Sequence, residues 1–171
     1  MSHEQLRGDP AVMVTTLFER YRAPICAYLY SLLDDWEMAY DLTQETFLKA
    51  FKARNQLLGV DNQRAWLYRV ASNLAFNAMK RRRRFVWLPW MNSDSGALPQ
   101  PDAQERVAEA SAVEQAMAAL SPDYRAPLLL FSYYNFSIRE VAQALELSEG
   151  AVKVRLHRAR EMFRQAYGSA G

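Results

Sequence analysis

Residues 137–160 read SIREVAQALELSEGAVKVRLHRAR, and this stretch near the C-terminal end decides the fold. Ser137 stands three residues before Glu140, which is the spacing of a capping box and predicts the start of a short helix. Ser148 is a second cap residue and precedes a longer segment with helical apolar spacing. A short helix, a tight turn and a second helix rich in basic residues form the helix-turn-helix arrangement.

The basic residues of the second predicted helix fall outside its apolar stripe. The stripe comprises Val152, Leu156, Ala159 and Phe163. The basic residues on the other side are Lys153, His157, Arg158 and Arg160. In that position they can reach phosphates and base edges in the major groove of DNA. A plain helical hairpin with a solvated basic face is the alternative interpretation.

Charge is distributed unevenly along the 171 residues. Residues 1–84 carry 13 Lys and Arg against 9 Asp and Glu, residues 85–137 carry 2 against 6, and residues 138–171 carry 6 against 4. Two basic ends therefore flank an acidic middle, which indicates two separate contacts with a polyanion. A chance distribution of solvated charge is the alternative.

Apolar residues recur at helical spacing along nearly the whole chain, so we expect an all-α protein. Three stripes precede residue 85: Leu17, Phe18, Tyr21, Ile25, Leu29, Leu32 and Leu33; Ala39, Leu42, Phe47, Ala50 and Phe51; and Trp66, Leu67, Val70, Leu74 and Ala78. Pro24 predicts a turn or kink within the first stripe, because it lacks the backbone donor. Asp34 and Asp35 supply a cap for the second, and residues 55–62 predict a loop.

Residues 85–107 have the composition of a flexible linker, with three prolines and a glycine. The segment Phe85–Met91 is unusually apolar for a linker, and we expect it to pack on the preceding helices or on a partner. Helical spacing resumes at Val107, and Ser121 followed by Pro122 begins a further helix. The sequence thus predicts two small helical domains, residues 10–84 and 108–167, and leaves open whether they lie together or apart.

Residue usage excludes several classes of protein. The single cysteine, Cys26, forms no internal disulfide and no cysteine-based zinc cluster, so we expect a reducing compartment and a small core residue. The first ten residues lack an apolar core and the apolar runs are too short to span a bilayer, so we expect a cytoplasmic protein. No Gly-rich phosphate loop or metal-ligand pattern is present, so we expect neither an enzyme nor a cofactor.

Three ordered segments together resemble the extracytoplasmic-function (ECF) sigma factors, a minimal class of the sigma-70 family. Residues 137–160 are similar to region 4, residues 40–51 (YDLTQETFLKAF) to region 2.2, and residues 65–81 (AWLYRVASNLAFNAMKR) to regions 2.3 and 2.4. The resemblance covers about residues 17–167. It implies an initiation factor that binds core RNA polymerase, directs it to particular promoters and helps to open the DNA. It also implies an anti-sigma partner that covers these surfaces.

By this resemblance, Asp41, Gln44 and Glu45 contact the coiled coil of the polymerase β′ subunit. Three polar side chains on adjacent helical turns offer acceptors to basic partner residues. The alternative is that they form the solvent face of an amphipathic helix.

The resemblance also implies a surface for the −10 promoter element. Its candidate residues are Leu57, Asn62, Arg64, Arg69, Asn73, Asn77, Lys80 and Arg81. Opening DNA requires a pocket for an unstacked base and cations along the phosphates of the strand. Trp66 matches a family position but lies on the apolar stripe, where a core role is expected. Residues 81–84 are interpreted as a phosphate clamp or as a solubilising helix end.

The −35 surface implied by the resemblance lies on the helix-turn-helix, and region 4 would also contact the β flap. Its candidate residues are Ser148, Lys153, Val154, Arg155, His157, Arg158 and Arg160. Arg155 and Arg160 are interpreted as DNA backbone contacts or structural ion pairs, while side chains at base edges supply specificity. Glu146 stands where the family often has Gly, so the turn is less tight or adopts a positive φ.

An ordinary helix-turn-helix regulator is the main alternative. It explains residues 137–164 but not the segments at 41–51 and 66–81. Polymerase binding distinguishes a sigma factor from such a regulator. A helical adaptor that binds only proteins is a third interpretation, against which the basic ends argue. We therefore expect an alternative sigma factor in which residues 10–84 contact β′ and melt the −10 element, and residues 108–167 read the −35 element.

Overall fold

The computed structural model describes residues 9–86 and 112–169 of the chain. Within these ranges the protein is helical without strands, as expected, and its helices fall into two groups. The first group is α1 Pro10–Leu33, α2 Trp36–Lys52, α3 Arg54–Leu57 and α4 Gln63–Val86. The second group is α5 Ala112–Ala118, α6 Pro122–Ser132, α7 Ile138–Leu145 and α8 Glu149–Ser169. In these ranges no helix has both the length and the apolarity of a membrane span.

Two expectations fall outside the described residues. The packing of the apolar segment Phe85–Met91 concerns side chains beyond those described. Most of the expected linker, including Val107, also lies outside these ranges.

Helix α1 continues through Pro24, so the turn predicted there is wrong. Proline removes one hydrogen bond from a helix interior. Most of the apolar stripe on both sides of it is nevertheless buried, with Leu17, Ile25, Leu29, Leu32 and Leu33 in the core, whereas Phe18 is 37% exposed. Because each such side chain contributes about 1.5–3 kcal/mol on burial, the packing of the stripe outweighs the lost bond.

The second stripe is buried as predicted except at its end. Ala39, Leu42, Phe47 and Ala50 lie in the core, whereas Phe51 is 49% exposed, so the prediction for Phe51 is wrong. Phe51 is at the end of α2, where the guanidinium of Arg54 lies 4.7 Å from the centre of its ring. The loop predicted at residues 55–62 is also partly wrong, because α3 occupies its first residues.

The predicted helix starts are confirmed by their caps. Asp35 accepts a hydrogen bond from the amide of Met38 at 3.0 Å. Ser137 and Glu140 form both bonds of the capping box: the Ser137 amide donates to Glu140 Oε2 at 2.8 Å, and the Glu140 amide donates to Ser137 Oγ at 3.3 Å. Ser148 Oγ accepts from the amide of Ala151 at 3.1 Å, at the start of α8. The helix-turn-helix is therefore formed by α7 and α8.

The two groups of helices lie together and share a continuous apolar core. The α6–α7 loop, residues 133–137, packs Tyr134 and Phe136 against the first group. The ring of Tyr134 lies 5.8 Å from that of Tyr28 and 5.3 Å from that of Tyr68, and its hydroxyl donates to the carbonyl of Pro24 at 3.1 Å. Burial is the main cause that raises the pKa of all three tyrosines, so their phenols stay neutral at physiological pH. The sequence left open whether the two predicted domains lie together or apart, and in the structure they pack together.

A buried hydroxyl chain links α1 to α4 and gives a stability prediction. Ser72 Oγ donates to the carbonyl of Tyr68 at 2.7 Å, so Tyr28 must donate to Ser72 Oγ across their 2.8 Å contact. Tyr28→Phe removes this donor and should lower the free energy of unfolding by about 0.5–1.5 kcal/mol, measured by urea denaturation. Tyr133→Phe is the matched control, because Tyr133 is 71% exposed and should tolerate the change. Equal stability of Tyr28→Phe and the unaltered chain would contradict the prediction.

Candidate functional site

The residues predicted to bind polymerase lie along the outer side of α2. Asp41 and Gln44 are exposed, and Glu45 is half-buried. Glu45 lies 3.7 Å from the ammonium of Lys49, one turn further along the helix. Because this ion pair is exposed, it contributes little to stability and leaves the carboxylate free to exchange partners.

Sequence reasoning missed an apolar row beside these polar residues. Trp36, Tyr40 and Leu48 are each more than half exposed, and Phe51 follows them at the end of α2. Trp36 stacks on Tyr30 with ring centroids 4.0 Å apart. The sequence spacing could have predicted this row, because residues separated by multiples of four lie on one side of a helix, as do Trp36, Tyr40 and Leu48. Together with Asp41, Gln44 and Glu45, this row forms what we call the α2 face.

Arg64, a −10 candidate at the start of α4, contacts the second group of helices. Its guanidinium donates to the carbonyl of Tyr134 and lies 3.9 Å from the centre of the Phe136 ring. Phe136 is itself buried, at 2% exposure. A cation held against an aromatic ring and a carbonyl is stabilised where it is, so Arg64 is engaged within the protein.

Two further −10 candidates donate to carboxylates of the helix-turn-helix. Asn62 Nδ2 donates to Glu140 Oε1 at 2.7 Å, while Asn62 Oδ1 accepts from the amide of Ala65. Asn73 Nδ2 donates to Glu146 Oε2 at 3.1 Å. With Arg64, these residues define what we call the covered −10 face.

The remaining −10 candidates have different surroundings. Leu57 is 1% exposed, so its side chain packs in the core and the expected contact with DNA is not available to it in this arrangement. Trp66 is half-buried against the core. Arg69 is half-buried, whereas Asn77, Lys80 and Arg81 are exposed along the last turns of α4. The exposed cations suit phosphate contacts.

Most of the −35 candidates lie on the open side of α8. Those exposed are Ser148, Lys153, Val154, His157, Arg158 and Arg160. Val154 is 52% exposed although it is apolar. His157 lies 3.4 Å from Glu161 on the same helix. Within the described part of the chain, these side chains therefore lie on the protein surface.

Arg155 and Arg160 have partners within the protein. Arg155 lies 3.5 Å from the carboxylate of Asp123 and is half-buried, which supports the structural ion pair considered for it. The guanidinium of Arg160 lies 5.2 Å from the centre of the Phe131 ring. Both contacts join α8 to α6.

The capping-box glutamate predicts an acid dependence of stability. The hydrogen bond from the Ser137 amide holds the pKa of the Glu140 carboxyl below its usual range, with further lowering from Asn62 and Arg64. Its contribution to stability is therefore present above the unfolded pKa, about 4.3, and is lost as pH falls through the lower folded pKa. Glu140→Gln should reduce the fall in melting temperature between pH 5 and pH 3, because glutamine keeps the capping geometry without titrating.

Glu19→Gln is the control for this titration, since Glu19 is exposed on α1. If Glu140→Gln and Glu19→Gln change the fall in melting temperature between pH 5 and pH 3 equally, Glu140 is not the cause of the acid dependence.

Comparison with known proteins identifies both regions. Residues 17–85 match the family described as sigma-70 region 2, and residues 110–163 match sigma-70, region 4. The ECF RNA polymerase sigma factor SigG of Mycobacterium tuberculosis is 33% identical over 98% of this chain and 51% of its own length, so the chain spans about half of that relative. SigL of the same organism is 30% identical over 86% of this chain and 84% of its own length. The chain belongs to the ECF RNA polymerase sigma factors of the sigma-70 family.

Two solved structures share the fold. One is the sigma factor RpoE in complex with the anti-sigma factor NepR from Bartonella quintana, with a TM-score of 0.69, 24% identity and coverage of 89% of this chain and 94% of that one. The other is CnrH in complex with the cytosolic domain of CnrY, with a TM-score of 0.66, 21% identity and coverage of 98% and 95%. At these identities the likeness establishes the fold alone.

Proposed function

We propose that this chain is an alternative sigma factor that binds core RNA polymerase and directs it to particular promoters. The observation that carries the proposal is the presence of both sigma-70 regions, 17–85 and 110–163, in one chain and in order. Such a protein acts by binding rather than by catalysis of its own. It works in the cytoplasm, where polymerase and DNA are found.

The α2 face is the proposed contact with the β′ coiled coil. Its carboxylates at Asp41 and Glu45 offer charge-assisted hydrogen bonds to basic partner residues, and Gln44 adds a neutral donor and acceptor. Beside them, Tyr40 is 58% exposed and Leu48 is 59% exposed, which supplies apolar area of the kind found at interface centres. The face therefore combines charge for orientation with apolar area for affinity.

The two DNA contacts divide between specificity and general affinity. On α8, Lys153, His157 and Arg158 are proposed to reach base edges of the −35 element, where bidentate contacts discriminate between bases. Lys80 and Arg81 on α4 are proposed to neutralise phosphates. The residues proposed to meet the unpaired −10 strand are Asn62, just before α4, and Arg64, Arg69, Asn73 and Asn77 on it. Region 4 is further proposed to contact the β flap.

We also propose an anti-sigma partner that holds the chain inactive. The support is the family to which the chain belongs and the exposed apolar row on α2. A partner seated there would compete with polymerase for the same side chains. It should therefore lower the amount of core polymerase that the chain binds.

Transcription from pooled host genomic DNA with purified core polymerase, with and without this chain, tests the proposal. New and discrete start sites that need the chain are the expected result, and the sequences upstream of them define its promoter. A known sigma factor with the same core polymerase is the control. If the control works while the chain neither binds core polymerase nor adds start sites, the proposal fails and a helix-turn-helix regulator becomes the better interpretation.

A further inference from the structure

Helix α8 carries an acidic side chain in the middle of its exposed side. The side chain of Glu161 is 52% exposed. Glu161 follows Val154 by seven residues and His157 by four, so the three side chains form one line along the helix, which we call the α8 row. The buried residues on the opposite side of α8 are Val152, Leu156 and Ala159.

The side chains that flank the α8 row are basic. Lys153 and Arg160 are exposed on one side of it, and Arg158 is exposed on the other. Each strand of duplex DNA carries a negative charge about every 3.4 Å, so cations on this side of α8 favour binding and a carboxylate opposes it. Glu161 therefore lowers affinity for any sequence, unless a group of the DNA donates a hydrogen bond to it.

Base edges offer such a donor only at certain bases. In the major groove, cytosine and adenine present an amino group, whereas guanine and thymine present acceptor atoms. An ionised carboxylate accepts hydrogen bonds and donates none. Glu161 thus matches cytosine or adenine chemically, just as Arg158, which only donates, matches the acceptors of guanine.

The length of the α8 row agrees with the width of the groove. Seven residues separate Val154 from Glu161, which corresponds to about 10.5 Å along the helix at a rise of about 1.5 Å per residue. The major groove of B-DNA is about 12 Å wide. All three side chains of the row can therefore lie in the same groove.

His157 restricts the position of the Glu161 carboxylate. Its Nε2 atom lies 3.4 Å from Glu161 Oε1, one helical turn away. The pair is exposed and contributes little to stability. It does, however, limit the rotamers of Glu161 before DNA is bound, which lowers the entropy cost of a later contact. The other carboxylate oxygen, Oε2, remains available to a second donor.

We propose that Glu161 is a further specificity-determining residue of α8, which accepts a hydrogen bond from the amino group of a cytosine or adenine in the −35 element, with His157 as its positioning residue. The inference rests on the proposed function, because it concerns the base specificity of the same −35 contact. The carboxylate also acts against wrong sequences, since it meets an acceptor wherever guanine or thymine replaces the amino-bearing base.

The test begins with selection from a pool of randomised duplexes by the full chain, alone and in complex with core polymerase. Each base pair of the preferred sequence is then changed in turn, and mobility shifts measure the affinity of the unaltered chain and of Glu161→Ala. At one position, replacing cytosine or adenine with guanine or thymine should cost the unaltered chain about fivefold to 150-fold in affinity. Glu161→Ala should lose most of this discrimination there and keep it at the other positions.

Glu149→Ala is the matched control, because Glu149 is exposed at the start of α8 and lies outside the α8 row. Both variants remove one negative charge from the same helix, so both should bind every duplex more tightly. Only Glu161→Ala should change the relative affinities at one position. The melting temperature checks that the helix persists, as expected for alanine at an exposed helical site.

A double-mutant cycle tests the positioning role of His157. His157→Ala should reduce the discrimination at the same base pair, and Glu161→Ala should then have a smaller effect than it has in the unaltered chain. If Glu161→Ala has the same effect with and without His157, His157 does not position the carboxylate.

Two further results would overturn the base contact itself. If Glu161→Ala changes the affinity for all duplexes by one factor, as Glu149→Ala does, the carboxylate acts only through its charge. If neither the chain nor its complex with polymerase selects a preferred sequence, α8 reads no bases. A chain that selects duplexes but adds no start sites with core polymerase contradicts the proposed function instead, and the selected duplexes then still decide the role of Glu161.

Discussion

Replacing Asp41, Gln44 and Glu45 together with alanine is expected to abolish the transcripts that depend on this chain. Hydrogen bonds that involve a charged group contribute about 1.5–3 kcal/mol each, so losing two such bonds and one neutral bond removes roughly 4 kcal/mol or more. Since about 1.4 kcal/mol corresponds to a factor of ten, affinity for core polymerase should fall at least about a hundredfold. The measurements are core polymerase binding by fluorescence anisotropy and the yield of specific transcripts.

Glu19→Ala is the control for this loss, because Glu19 is exposed on α1 and lies outside the α2 face. It should leave polymerase binding unchanged. The triple variant should also keep the melting temperature of the unaltered chain, since Asp41 and Gln44 are exposed and the Glu45–Lys49 pair is a surface pair. Normal polymerase binding by a folded triple variant would remove this side of α2 from the proposed interface.

Arg158→Ala is expected to have the second large effect, on recognition of the −35 element. Each good bidentate contact to a base discriminates by about 1–3 kcal/mol, so affinity for the correct −35 duplex should fall between about fivefold and 150-fold. Affinity for a duplex with a changed −35 sequence should fall much less, because a base contact is lost there already. Electrophoretic mobility shifts with the two duplexes measure both values.

Arg155→Ala is the comparison that distinguishes loss of a base contact from loss of a contact within the fold. Arg155 lies one helical turn before Ala159 on the buried side and pairs with Asp123, so its loss should affect stability by less than about 1 kcal/mol. Arg155→Ala should lower the affinity for both duplexes equally or leave both affinities unchanged. If Arg158→Ala instead weakens both duplexes equally, Arg158 binds phosphate and the assignment of a base contact to it is wrong.

Local features were predicted well from the sequence, because their causes lie within a few residues. The capping box at Ser137 and Glu140, the caps at Asp35 and Ser148, and the start of α6 after Ser121 are all confirmed. The positive φ considered for Glu146 is likewise found. At Asp35, Ser137 and Ser148 a side chain satisfies a backbone group only a few residues away, whereas Ser121 makes no such bond and α6 begins there with Pro122 in its first turn.

The errors arose where burial depends on partners distant in the chain. Phe51 fits the stripe of α2, yet it is 49% exposed at the end of that helix, and the side chain of Leu57, a −10 candidate, packs in the core at 1% exposure. A turn or kink was predicted at Pro24 because the sequence shows that proline removes a backbone hydrogen bond. The burial of the α1 stripe, which outweighs that loss, depends on residues elsewhere in the chain. Periodicity indicates which side of a helix is buried but not what buries it.

The contact between the two groups of helices could not be predicted from the sequence. Tyr134 and Phe136 lie in a five-residue connection between helices, where apolar periodicity gives no signal. The partners of Arg64 and Asn73 are separated from them by 70 and 73 positions in the chain. Arg64 and Asn73 are polar, and polarity alone does not distinguish a residue that contacts the other group of helices from one that faces solvent.

The aromatic cluster of Tyr28, Tyr68, Tyr134 and Phe136 has a consequence for cooperativity. Because it makes one core of two groups of helices, the protein in this packed arrangement should unfold in a single calorimetric transition with equal van't Hoff and calorimetric enthalpies. Once the cluster is broken, each half has only its own small core, and two broader transitions at lower temperature should replace the single one. A form in which the two groups of helices lie apart should therefore be less heat-resistant than the packed one and correspondingly short-lived.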